Sequence, residues 1–216
     1  LNNFPCIFIA NEFFDALPIK QFLKKKKKWH ERHVNFSNDK KLEYLDIPFD
    51  MQKFEKEIKF KISYKQTFIE YSPLASKYLK TIINKIKLNN GGILIIDYAY
   101  LDKKMKNTLQ AVSKHKYCDV LKSFRSSDIT YNLSFNLINK IIKKLGPCSS
   151  LSTTQAKFLT KLGILNRAEI LSKNLPFSKK ADIYFRIKRL IDENQMGHLF
   201  KVMFITNHKN KFKLGF

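Results

Sequence analysis

Glycine is scarce in this sequence: six residues among 216, at positions 91, 92, 146, 163, 197 and 215. None falls into a GxGxxG or GxxxxGK[ST] pattern, so the chain carries no glycine-rich phosphate cradle of its own. Cysteine is scarcer still. Cys6, Cys118 and Cys148 are odd in number and lack CxxC or His-paired spacing, which excludes a disulfide framework and fits small thiols in a reducing compartment. The five histidines include no HExxH. His30 and His33 lie three apart on an alternating stretch, which puts them on opposite faces of a strand and excludes a shared metal. No GxSxG nucleophile elbow is present. No apolar run approaches the roughly 18 residues a bilayer span needs. The N-terminus has no signal peptide, and it begins at Leu1 rather than Met. The chain therefore reads as cut from something longer, with any targeting segment upstream.

Acidic residues are few as well: 18 Asp and Glu against 41 Lys and Arg, for a net charge of +23. Clustered cations bind nucleic acid by releasing counterions. Here, however, only five of the cations are arginines, and Ile, Asn and Phe are plentiful beside lysine. AT-rich codons produce that profile without a selected partner. The charge is read as a statement about solubility and association, and no specific nucleic-acid function is assigned. With 44% apolar and 13% aromatic residues the chain is not disordered, and it is long enough for one large domain or a domain with a small appendage.

Three stretches read as buried strands of an α/β sheet: "CIFIA" (6–10), "GGILIIDYAY" (91–100) and "HLFKVMFIT" (198–206). Between the first two, "IKQFLKK", "WHERHVNF" and "KLEYLDIPF" alternate as exposed antiparallel strands, with Lys24 to Lys28 at a hairpin tip. This excursion is assigned to residues 19–60. "SPLASKYLKTIINKIKLNNGG" is a helix with Ser72 as N-cap, Pro73 at its first position and Asn90-Gly91 closing it; Leu79, Ile82, Ile83 and Ile86 share a face. "SFNLINKIIKKLG" gathers Phe135, Ile138, Ile141, Ile142 and Leu145 on one side. Two more helices, "TTQAKFLTKLG" and "SKKADIYFRIKRLIDENQMG", complete a helical insertion over 134–196. A helix before each of the last two sheet strands predicts parallel crossovers. No repeat or low-complexity linker interrupts the chain.

Chemistry is then expected at strand ends, since ligands of open parallel sheets bind beyond the carboxyl ends of the strands. Two strands end in acids: Asn11-Glu12, with Asp15 one turn on, and Asp97-Tyr98. As neighbours they would line one crevice with carboxylates and a phenol. The plainer alternative has Glu12 capping a backbone amide and Asp97 paired to a surface lysine. Phe13 and Phe14, in succession on a tight turn, cannot both point inward.

"NEFFDALPIKQF" (11–22) closely resembles the signature of the MidA-like S-adenosylmethionine-dependent methyltransferases, the group containing the mitochondrial complex I assembly methyltransferase. The resemblance continues in order. "GGILIIDYAY" is similar to the family's next strand, with Ala99 where glycine is usual. "NTLQAVSKHKYCDVL" resembles its TLQA-and-His segment through Thr108, Leu109, Gln110, Ala111 and His115. "DITYNLSFNLI" resembles its LTAHVDF stretch, with Ser134 in place of aspartate. "TTQAKFLTKLGI" is similar to its TQGxFLxxLGI helix, with Ala156 for glycine. "MGHLFKVMFIT" and the closing "LGF" resemble its C-terminal strand region.

The resemblance implies a Rossmann-like methyltransferase sheet entered at about the fourth strand, so that residues 1–216 are the C-terminal part and the half bearing the glycine loop and ribose carboxylate is missing. It implies S-adenosylmethionine as cofactor and a protein arginine as substrate, with a respiratory complex I subunit as the candidate target. Glu12 and Asp15 would hold the guanidinium, because paired carboxylates can grip that planar cation bidentately. Gln21 and Tyr98 would complete the substrate wall, with Asn11 and Phe13 nearer the cofactor. The basic surface is compatible with a cationic substrate, since distant lysines are screened over a Debye length of about 8 Å. The expected location is cytoplasmic in a bacterium and mitochondrial in a eukaryote. On its own the chain is expected not to bind S-adenosylmethionine tightly. The competing expectation is a truncated or degenerate, non-catalytic basic binding module.

Overall fold

Local signals punctuate the backbone where the sequence places them. Ser72 Oγ accepts the N–H of Ala75 at 3.1 Å, so a capped helix starts at Pro73. Asn90 (φ 62°) and Gly91 (φ 102°) end it in the left-handed region. A Cβ at Gly91 would lie 2.0 Å from the Cys6 carbonyl oxygen, so only glycine lets the next strand start beside the first.

The computed structural model describes residues 4–39, 41–114, 116–122, 126–207 and 212–216. His115, quoted above with the TLQA segment, lies outside them. The chain begins with β1 (Cys6–Asn11), β2 (Lys20–Lys25), β3 (Lys28–Phe36), β4 (Leu42–Pro48), α1 (Met51–Ile58), β5 (Phe68–Tyr71) and α2 (Pro73–Asn89). It continues through β6 (Gly91–Tyr100), β7 (Gln110–Ser113), β8 (Lys116–Cys118), β9 (Asp128–Thr130), β10 (Leu133–Ser134) and α3 (Phe135–Leu145). It closes with β11 (Cys148–Thr154), α4 (Gln155–Lys161), α5 (Ile164–Ser172), α6 (Phe177–Ile191), α7 (Met196–Leu199) and β12 (Phe200–Asn207). These elements fall into two compact units, one from residues 1–12, 82–100 and 146–216, the other from 13–81 and 101–145.

The first unit holds a mixed sheet in the order β1-β6-β12-β11. β1 and β6 are parallel neighbours, as the two apolar runs with a helix between them predict. β12 is antiparallel to β6, which corrects the expectation of a second parallel crossover. Its burial on both faces accounts for its continuous apolarity, and that property carries no information about direction. The direction is set by β11, which pairs antiparallel with β12 along its whole length. Helices α4–α7 therefore leave and re-enter the sheet at one end. The 134–196 stretch is accordingly not wholly helical, because its "CSSLSTT" segment is this edge strand. Thr154 Oγ1 caps α4 by accepting from Lys157 N at 3.3 Å, and Gln155 Nε2 donates to the Leu190 carbonyl at 3.0 Å, tying α4 to α6. The closing residues return to α4, with Phe216 5.3 Å from the Phe158 ring.

The second unit is built on an antiparallel sheet in the order β4-β3-β2-β5. The lysine run forms its β2–β3 turn: Lys26 and Lys27 both have positive φ, the geometry of a two-residue hairpin. Lys25 pairs with Asp46 at 2.7 Å. Helix α1, which the sequence reading missed, is capped by Asp50 and packs Phe54 and Ile58 into a core with Phe22, Ile69, Tyr71, Met105, Leu137 and Ile141. β5 joins this sheet, and a small β8-β7-β9 sheet lies beyond it in sequence; neither was anticipated. Ser134, standing where the family usually has aspartate, accepts Leu137 N at 3.3 Å and so caps α3, a role both residue types fill well.

Candidate active site

In the first unit, the β1–β6 register runs from Cys6↔Gly91 to Asn11↔Ile96, and β6 continues past the end of β1 to Tyr100. The ladder extends one residue further: Glu12 N donates to the Ile96 carbonyl at 3.0 Å. Glu12 itself has φ 47°. That conformation costs a residue with a Cβ about 1–2 kcal/mol, and strain of this kind concentrates at functional sites. The turn leaves the Glu12 side chain exposed beside Asn11, whose Nδ2 donates to Glu12 Oε1 at 3.3 Å. At the end of β6, Asp97 is fully buried and accepts the N–H of Tyr98 at 2.9 Å. The lysine facing it in register, Lys201, is buried too. Tyr98 stacks at a tilt on Phe200, with ring centroids 4.2 Å apart. This unit thus brings Asn11, Glu12 and Tyr98 to the ends of neighbouring strands.

The second unit places the rest. Phe14 is completely buried and Phe13 is 43% exposed, with their rings edge-on at 5.1 Å, so consecutive aromatics do point opposite ways. Phe13 also approaches Tyr78, at 5.6 Å. Asp15 is buried, and its carbonyl accepts from Tyr131 N at 3.1 Å. Gln21 is buried on β2, where its Nε2 donates to Glu70 Oε1 at 2.8 Å and to Asn107 Oδ1 at 3.0 Å. Both hydrogens of that amide are used within the unit, and no N–H of Gln21 remains to meet a substrate.

Glu70 is the residue that sequence reasoning missed. Only 4% exposed on β5, its carboxylate accepts from Gln21 Nε2, from Thr108 N and Oγ1, and from Leu109 N at 3.1 Å. Thr108 Oγ1 in turn accepts Asn132 N at 2.9 Å. The opening of the TLQA segment is therefore held by a buried carboxylate with four donors. The available signal was one acid inside the short apolar strand "FIEY". Among the described residues no group of three His, Cys, Asp or Glu could hold a metal ion, and no helix is long and apolar enough to cross a membrane.

The α/β fold with its mixed sheet is shared with solved structures. A crystal structure of a COG1565 superfamily member from Burkholderia thailandensis, bound to S-adenosyl-homocysteine, superposes with a TM-score of 0.79 at 23% identity, covering 99% of this chain and 56% of that one. The family model described as "Putative S-adenosyl-L-methionine-dependent methyltransferase" matches residues 1–154. The chain belongs to this family. Among curated relatives it is 27% identical over 200 residues to the Xenopus tropicalis protein named protein arginine methyltransferase NDUFAF7, mitochondrial, covering 90% of this chain and 45% of the relative. To the human protein of that name it is 25% identical over 209 residues, covering 94% and 45%. The chain spans about half the length of the curated relatives it matches.

Proposed function

We propose that this chain is the substrate-side, C-terminal part of a Rossmann-like, S-adenosylmethionine-dependent protein methyltransferase that acts on an arginine side chain. The observation that carries the reading is the exposed Glu12 carboxylate, held at the β1 end by a left-handed backbone and a ladder hydrogen bond. An exposed carboxylate beside a strand end can orient a guanidinium through charge-assisted hydrogen bonds. The bound cofactor supplies a methyl group on a sulfonium. The protein's task is then alignment and electrostatic control of the nucleophilic nitrogen. In this reading Glu12 holds the guanidinium, Tyr98 lines the substrate wall and Asn11 faces the cofactor.

The residues present fit only one side of that cofactor. Asn11 offers an exposed amide, but Gly91 and Gly92 lie at the far end of the β1–β6 pair and are no cradle: a Cβ at Gly91 or Gly92 would meet the Cys6 backbone or the Phe204 ring. The other side belongs to the half of the relatives that the match does not cover. Support comes from β1, at the edge of its sheet, where Ile7 and Ile9 are 60% and 72% exposed. Apolar residues on a strand continuous with a core are suited to cover by further secondary structure. The relatives' names, protein arginine methyltransferase and mitochondrial, support a mitochondrial protein with a protein substrate, and a respiratory complex I subunit is the proposed target.

Calorimetry with S-adenosylmethionine tests the reading, using the chain alone and a chimera that adds the uncovered half of the Xenopus relative. The chimera is expected to bind at about micromolar Kd, near −8 kcal/mol, and the chain alone far more weakly. In the chimera, Glu12→Gln should lower transfer to an arginine peptide by about 100-fold, in the range of lost electrostatic positioning, with cofactor affinity kept within a few-fold. Micromolar binding by the chain alone would show that the missing half is dispensable. Loss of cofactor binding in Glu12→Gln would move Glu12 to the cofactor side, and a chimera that binds but never transfers would favour the non-catalytic module.

A further inference from the structure

A cavity of about 390 Å³ in the second unit plays no part in the proposed methyl transfer. That volume falls within the roughly 300–1,000 Å³ of small-molecule sites. Its lining comes from three stretches that the sequence keeps far apart: the segment before β5, the segment before β7, and the first turns of α3. They bring together Lys65, Lys103, Lys104 and Lys140, with Gln66 and Asn136 between them.

The arrangement is organised by Gln66, which is 6% exposed. Its Nε2 donates to the Lys103 carbonyl at 2.6 Å and its Oε1 accepts the N–H of Met105 at 3.0 Å. Met105 is thereby anchored in the core, and Lys103 and Lys104 stay exposed. Asn136 and Lys140 are four residues apart, so they share the face of α3 that its buried residues Leu137, Ile138, Ile141 and Ile142 leave open. The Lys140 ammonium lies 5.8 Å from the Phe60 ring and that of Lys65 lies 5.9 Å from the Tyr64 ring, cation–π contacts that restrain both side chains. Asn136 sits in the first turn of α3, where the helix dipole is positive.

The charge pattern points to a ligand. Four lysines of this unit have acid partners, Lys20 with Glu31, Lys25 with Asp46, Lys61 with Glu55 and Lys106 with Asp102. Among the described residues none of the four lining lysines has one, and the lining contains no Asp or Glu. Four like charges around one cavity repel one another, and an anion between them would turn that repulsion into attraction. Lysine is a compact, rotatable point charge and a common phosphate ligand, and the several oxygens of a phosphate group can meet more than one ammonium at once.

We propose that this cavity binds a small phosphate-bearing molecule, with Lys65, Lys103, Lys104 and Lys140 as its cationic ligands and Asn136 as a neutral hydrogen-bonding partner. The site is separate from the methyltransferase reading, because neither a sulfonium cofactor nor a guanidinium needs it. The test is calorimetric titration of the whole chain with sodium tripolyphosphate at about 150 mM salt, where exposed charges more than about 8 Å apart are screened. One site is expected, and Lys103→Gln with Lys140→Gln should weaken it at least 10-fold. A control pair on exposed lysines elsewhere, Lys173→Gln with Lys179→Gln, should leave binding within two-fold. Both pairs lie outside the core, and unchanged thermal melts would confirm folding; if the double variant melts early, the two single variants replace it. Equal weakening by the control pair would reduce the effect to net charge and overturn the site. No saturable binding at millimolar probe would overturn it too. Binding of an oligoglutamate of matching charge as tightly as tripolyphosphate would overturn the phosphate assignment.

Discussion

Glu12 and Glu70 are the same residue type put to opposite uses. Glu12 ends β1 in a left-handed conformation, exposed, with its carboxylate beside the Asn11 amide. Glu70 lies within β5, buried, with its two oxygens shared among Gln21, Thr108 and Leu109. A carboxylate surrounded by four donors is committed to architecture. An exposed one, on a backbone that pays for its position with strain, keeps its lone pairs available for a visiting cation. The contrast shows that an acid's role follows from how many donors the fold has already given it.

The largest effect should come from breaking the buried side of that contrast. Glu70→Ala leaves the Thr108 and Leu109 amides and the Gln21 side chain without their acceptor. It should cost about 3–5 kcal/mol, as removing one member of a buried charged network does. Urea unfolding measures it, and a loss below about 1 kcal/mol would show that the network is not structural.

Next in size is the aromatic pair after Glu12. Phe14→Ala should destabilise by about 3–4 kcal/mol, because its ring is wholly buried, while Phe13→Ala should cost about 1 kcal/mol or less. Thermal melts of the two variants would sharpen the division between an inward and an outward residue. Equal losses would erase it.

A smaller effect involves Asp46, a third type of acid, paired at the surface of the antiparallel sheet. The hydrogen bond from Arg32 is the main cause that lowers its carboxyl from 3.8 to about 2; burial, the next largest, opposes it, and the Lys25 hydrogen bond and both cations' charges add to the lowering. The folded value lies below the unfolded one, so the stabilisation is complete above 3.8 and is lost as the pH falls through 2. After allowance for screening it amounts to about 1–2 kcal/mol. Asp46→Asn should abolish this part of the acid sensitivity, read as the change in urea midpoint between pH 6 and pH 2. The smallest effect is at Glu12 itself. Glu12→Gly should be more stable than Glu12→Ala by about 1 kcal/mol, because glycine enters the left-handed region without a Cβ penalty. If alanine proved the equal of glycine there, the strain assigned to this position would be absent.

Much of the architecture was legible because its causes are local. Ser72 and Asn90-Gly91 bracket α2 by capping chemistry that involves only neighbouring residues. The apolar runs at β1 and β6 mark sheet strands, and their order predicts parallel neighbours; the expected burial of β1 is not met, because it is an edge strand with Ile7 and Ile9 exposed. β11 was illegible for the opposite reason. "CSSLSTT" has no apolar period of its own and becomes a strand because the edge of β12 offers unpaired backbone groups that need partners. β5 was hidden in the same way, and α1, an eight-residue helix, buries only Phe54 and Ile58.

For the candidate site the division falls within single residues. The sequence alone determined that carboxylates and aromatics follow the β1 run, that Phe13 and Phe14 must diverge, and that no glycine cradle lies within this chain, because these are matters of residue type and spacing. Only the tertiary structure decided that Gln21 donates to Glu70, that the TLQA segment hangs on a buried carboxylate 38 residues before it, and that four distant lysines line one cavity. Those outcomes depend on which backbone segments are brought within hydrogen-bonding reach of one another. That is a property of long-range packing, which no local pattern encodes.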